Sequence, residues 1–165
     1  MNQEDKAAIA ALLGRRQAAL GTLDGGAPYI SMVAFAAEAD GRGVLLHLSG
    51  LAPHTGHIAA DPRASLLVCE PELPETEDVQ TLARLTLAGQ IRPVLRKDAS
   101  YRALRSRYLT ALPASAPLFD FADFELYRLT VERARFIGGF ARALTLTPEQ
   151  IASQMPRMVS TDRHR

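Results

Sequence analysis

Along the chain, the spacing of apolar residues switches between the helical and the strand period. Ile9, Leu12, Leu13 and Leu20 share one helical face, so the pattern predicts an amphipathic helix over residues 4–19. Three short apolar runs follow at 17–23, 29–37 and 43–49, divided by DGG and ADGRG, where glycine supplies the positive φ of tight turns. They predict an antiparallel meander. PHTGHIAADPR has room for two helical turns before Pro62 stops it, and a fourth strand is predicted at Ala64–Glu70. The acidic, proline-containing PELPETEDVQTL reads as an exposed connection, after which ARLTLAGQIRPVL returns to strand character. In KDASYRALRSRYLTALP, Tyr101, Leu104, Tyr108 and Leu112 lie at i, i+3, i+7 and i+11, with Arg102, Arg105 and Arg107 off that stripe on a solvated face. FELYRLTVERARFIGGFARAL supplies one or two closing strands, and TPEQIASQM a short helix with Thr147 as N-cap and Pro148 in the first position.

This order predicts a mainly β fold with peripheral helices, a six- to seven-stranded antiparallel barrel in a single domain over 1–165. The barrel would occupy about 17–140, and the C-terminal helix and tail 147–165. Strand and helix do not alternate at crossover length and no glycine fingerprint is present, which argues against a doubly wound sheet.

Composition narrows the function classes. With 19 basic and 18 acidic residues the net charge is +1, which points to neither nucleic acid nor a membrane surface as partner. Any anion site must be local. The single cysteine, Cys69, excludes an intramolecular disulfide framework and a zinc cluster of several thiolates, and in ASLLVCEP it reads as a small buried hydrophobe. MNQEDKAAIAALLGRR places acids before a modest apolar stretch, unlike a signal peptide, and no segment nears the roughly 18 apolar residues of a membrane helix. The expected location is the cytoplasm.

His47 in VLLHLSG falls opposite Leu46 and Leu48 by alternation, as a surface or barrel-mouth histidine. His54 and His57 are three apart, but no third metal ligand is near them in sequence. The first residues of the short helix suit an anion: free N–H groups and the helix dipole point outward there, and Ser49, His54 and Thr55 add hydroxyl and imidazole donors. On spacing alone, a plain cap at Thr55 with solvated histidines is an equal reading. Ser31, Ser49 and Ser65 lack a nucleophile elbow, and the acids gather in exposed connections. A small barrel with an anion pocket and no catalytic set is what a cofactor-dependent protein needs.

The order GTLDGGAPYISMVAFAAEADGRGVLLHLSGLAPHTGHIAADPRASLLV, RLTLAGQI, RYLTALP, FADFELYRL, GGFARA resembles the pyridoxamine 5'-phosphate oxidase-like FMN-binding split barrels, in particular their HugZ/HutZ-like haem-utilisation branch. The similarity covers roughly residues 10–145. It implies a homodimer of split barrels with FMN at the subunit interface, acting as an oxidoreductase on a small-molecule redox substrate. By position, Ser31, Met32 and Val33 would line the flavin, Leu48 and Ser49 would follow, His54 and Thr55 would address the phosphate, and Arg84 would come from near the interface. Where the oxidase itself carries phosphate-directed cations this chain has Ser31, Ala36, Pro53 and His54, so true pyridoxamine-phosphate oxidase activity is not expected. The haem-utilisation branch implies the alternative, a haem-binding or haem-degrading protein of iron acquisition, with His164 as iron ligand and Asp123 supporting it.

Overall fold

Gly25 and Gly26, at φ 57° and 93°, close the hairpin between β1 (Gln17–Asp24) and β2 (Ala27–Ala37) in the computed structural model, which describes residues 1–139 and 142–154. The following elements are β3 (Gly43–Ser49), α2 (Pro53–Ala60), β4 (Arg63–Cys69), β5 (Arg84–Pro93), α3 (Tyr101–Ala111), β6 (Phe124–Ile137), β7 (Ala143–Leu146) and α4 (Pro148–Ala152); α1 (Gln3–Leu13) precedes them. Short 3-10 segments lie at Val79–Thr81 and Pro113–Asp120. All pairings are antiparallel, in the order β3-β2-β1-β4-β5-β6-β7, and β3 also pairs with β6. That last pairing closes six strands into a barrel, with β7 attached outside the closure.

The barrel interior is filled by Leu20, Phe35, Leu46, Leu66, Leu87, Leu129 and Phe136, all fully buried. Helix α1 closes it with Ile9, Leu12 and Leu13. The helix is shorter than the predicted 4–19: it stops at Leu13 with Gly14 as C-cap, and β1 has begun by Gln17. Leu20 matched the helical spacing because a strand residue two turns on can fall on the same projected face, yet it belongs to the sheet.

Three further expectations are corrected. Cys69 is exposed, because it ends β4 on the outward side of the pleat. His47 is neither a surface nor a barrel-mouth residue: it is 7% exposed, because α3 and the 3-10 segment cover the outer face of β3. Arg107 is likewise not simply solvated, since its Nε donates to the Ala37 carbonyl at 2.7 Å and ties α3 to β2.

A bulge at Ala88/Gly89 decides which side chains β6 turns outward. Ala88 pairs with Arg133 but Gly89 with Val131, so Glu132 is the extra residue. Buried positions on β6 accordingly move from odd numbers (Leu129, Val131) to even ones (Ala134, Phe136).

Candidate functional site

Helix α2 is held against the barrel by two imidazole–hydroxyl pairs. His54 Nδ1 lies 3.0 Å from Ser31 Oγ, and His57 Nδ1 lies 3.1 Å from Thr22 Oγ1, with Tyr29 edge-on to His57 at 4.9 Å. The i, i+3 spacing of the histidines thus serves docking, and burial lowers the pKa of His54, so it presents a neutral ring. Among the described residues no three His, Cys, Asp or Glu side chains converge as a metal site.

The strand end before α2 is internally satisfied. Ser49 Oγ donates to Asp123 Oδ2 at 2.7 Å, the Gly50 N–H donates to the Asp123 carbonyl at 2.6 Å, and Thr55 Oγ1 donates back to the Ser49 carbonyl at 2.7 Å. Thr55 therefore sits one turn inside the helix as a tie to β3, and the N-cap is Ala52, which has no side-chain cap. Pro53 has no N–H to offer and the Thr55 N–H is bonded to Ala52. The arrangement places a carboxylate, Asp123, where the sequence suggested a phosphate.

The other candidates fall on different surfaces. Met32 is 71% exposed on the outer face of β2, whereas Val33 and Leu48 put their side chains into the core. Arg84, at the head of β5, donates from Nη1 to the carbonyls of Gln80 and Leu82 at 3.1 and 3.3 Å. His164 lies outside the described residues.

Sequence reading missed the outer sheet face. Cross-strand pairing sets out the row Ile30, Gly21, Ser65, Ala88, Arg133, and beside it the row Met32, Ala19, Leu67, Thr86, Arg135. Small residues make a flat floor three strands wide, with Ile30 at one margin and Arg133 at the other, and a cleft of about 540 Å³ lies along it. Arg63, which also lines this cleft, is paired with Asp61, whereas Arg133 forms no ion pair among the described residues. The signal was present in VERARF: Glu132-Arg133 interrupts strict alternation, as a bulge does.

Comparison with known proteins places this geometry. The pyridoxamine 5'-phosphate oxidase family pattern matches residues 5–138. The chain is 40% identical over 118 residues to a non-canonical heme oxygenase, HOZ, chloroplastic, of Arabidopsis thaliana; the match covers 72% of this chain and 34% of that protein. A heme binding protein from Mycobacterium smegmatis superimposes with a TM-score of 0.80 at 28% identity, over 93% of this chain and 61% of the other. HutZ, the heme storage protein from Vibrio cholerae, shares the fold at a TM-score of 0.66 and 24% identity, over 75% and 87% of the two chains. The chain thus spans about a third of the curated relative and three-fifths of the mycobacterial one.

Proposed function

The chain belongs to the pyridoxamine 5'-phosphate oxidase family, and from that premise we propose that it is a homodimeric haem-binding protein rather than a flavin enzyme. The observation that carries this reading is the hydrogen bond between Ser49 and Asp123 at the entrance to α2. An FMN phosphate there would approach a carboxylate, find the Ser49 and Thr55 hydroxyls engaged, and meet no side-chain cation at Pro53 or at the neutral His54. Charge-assisted bonds are roughly twice as strong as neutral ones, so their loss weighs heavily on a dianion. The residues do not fit FMN at that position.

Haem asks for a flat apolar surface and cations for its carboxylates. The outer face offers Ile30, Met32 and Leu67 for the macrocycle and Arg133 and Arg135 for the anionic edge. Bound haem would supply a redox-active iron; the chain's own contribution is the floor and the charge. The haem relatives support the same reading. Among the described residues no helix is long and apolar enough to cross a membrane.

Titration with hemin and, separately, with FMN tests the proposal. Saturable hemin binding is expected with a Kd of about 1 μM or tighter, roughly −8 kcal/mol, and no comparable FMN uptake. FMN binding at that strength with hemin ignored would overturn it and restore the flavoprotein acting on a small redox substrate.

The homodimer rests on the same face. Ile30 and Met32 are 72% and 71% exposed on adjacent outward positions of β2, with Leu67 two strands away, and a second copy would bury them. Met32→Glu is expected to shift the native protein from dimer to monomer in light scattering at micromolar concentration. A dimer unchanged in mass would remove this face from the interface.

A further inference from the structure

We propose that the outer face of α3 is a binding site for a small phosphate-bearing anion, held between Arg102 and Arg105. A cleft of about 500 Å³ is lined by Arg102, Arg105, Ser106, Leu109 and Thr110. These positions run i, i+3, i+4, i+7 and i+8, so one helix face presents all five.

Arg105 is not a freely moving surface arginine. Its guanidinium carbon lies 4.8 Å from the centroid of Phe119, over the ring. Phe119 is fixed in turn: His47 stacks on it with centroids 3.7 Å apart and planes 8° from parallel, and Arg96 donates to its carbonyl at 3.3 Å. The cation is therefore positioned in advance, which lowers the ordering cost of binding.

It is also uncompensated. Arg63, Arg128 and Arg142 each have a carboxylate partner, whereas among the described residues neither Arg102 nor Arg105 forms an ion pair. Thr110 Oγ1 spends its proton on the Ser106 carbonyl at 2.9 Å, which leaves the Ser106 hydroxyl as the third donor. Two guanidinium forks and one hydroxyl match a group with three terminal oxygens. A carboxylate would be saturated by one fork, so phosphate is the better fit. This site lies on the covered side of β3, away from the face assigned to haem, and stands whether or not haem binds.

The test is calorimetric titration of the full chain with inorganic phosphate and with pyrophosphate at constant ionic strength. Saturable one-site binding is expected for pyrophosphate, and Arg102→Ala and Arg105→Ala should each weaken it at least about fivefold. Arg102 is exposed, so its variant tests the site without disturbing the Phe119 stack. A second readout is specific to this geometry. Arg105 and Arg96 both oppose protonation of His47, so pyrophosphate should move the His47 titration upward in NMR, while chloride at matched ionic strength should not. No saturable binding, or binding equal in both variants and wild type, would overturn the proposal.

Discussion

Gly89→Ala is expected to destabilise the protein by about 3 kcal/mol or more, and to leave little folded chain at 37 °C. A Cβ built on Gly89 would lie 1.9 Å from the Thr130 carbonyl oxygen and 3.0 Å from its carbon, with the Glu132 nitrogen at 3.2 Å. Every one of those atoms is backbone in the bulge, so no side-chain rotation relieves the overlap. Relief requires β5 and β6 to part, and this pair joins the closed barrel to β7. Gly56→Ala is the matched control. Nothing lies within 4 Å of a Cβ at that exposed position of α2, and the helix interior should gain about 0.5–1 kcal/mol. Chemical denaturation of the two variants measures both. A Gly89→Ala protein within 1 kcal/mol of wild type would show that the bulge can rearrange, and the outward placement of Arg133 would lose its physical basis.

The bulge also shows where sequence reading ends. Predicted strands 17–23, 29–37, 43–49 and Ala64–Glu70 agree with the observed β1 to β4 within two residues, because glycine turns and Pro62 bound them locally. Thr147 and Pro148 begin α4 with a capping box for the same local reason. What alternation cannot report is which element covers the outside of the sheet. All of Gly43 to Leu48 is buried, since α3 supplies Tyr108 and the 3-10 segment supplies Phe119 against Leu45 and Leu126. A strand covered on both faces loses its period of two, so VLLHLS could not reveal that His47 points into a second core. The site residues divide similarly. Ser49 and Thr55 meet across a short connection, and Ser31 and His54 meet with β3 alone between their elements. Asp123 joins Ser49 from 74 positions away, and that partnership, which depends on the closure of β3 on β6, changes the reading of the anion site.

The covered histidine leads to the second large effect, a stability that falls with acid because of one imidazole. His47 is buried, its Nδ1 has no hydrogen-bond partner among the described residues, and its ring is stacked on Phe119 beside Phe124 and Tyr108. Burial, then the positive charges of Arg105 on α3 and Arg96 after β5, lower its pKa to about 4. Burial pushes the pKa of the Tyr108 hydroxyl upward, so it stays protonated and adds no charge. The unfolded chain binds a proton at about pH 6.5, and the folded chain does so only near 4. The His47 contribution is thus fully present above 6.5 and is lost as pH falls from 6.5 to 4. Between pH 7 and 4.5 this amounts to about 2 kcal/mol. Glu38, whose carboxyl burial pushes upward, titrates in the opposite sense but identically in a His47 variant. Urea unfolding of wild type and His47→Leu at both pH values isolates the histidine, and the wild type should lose about 2 kcal/mol more than the variant. Parallel losses would mean that His47 finds a proton-accepting partner in the folded state. A steeper loss in the wild type would show that α3 is seated on a neutral ring, so the proposed anion site and the acid sensitivity share one stack.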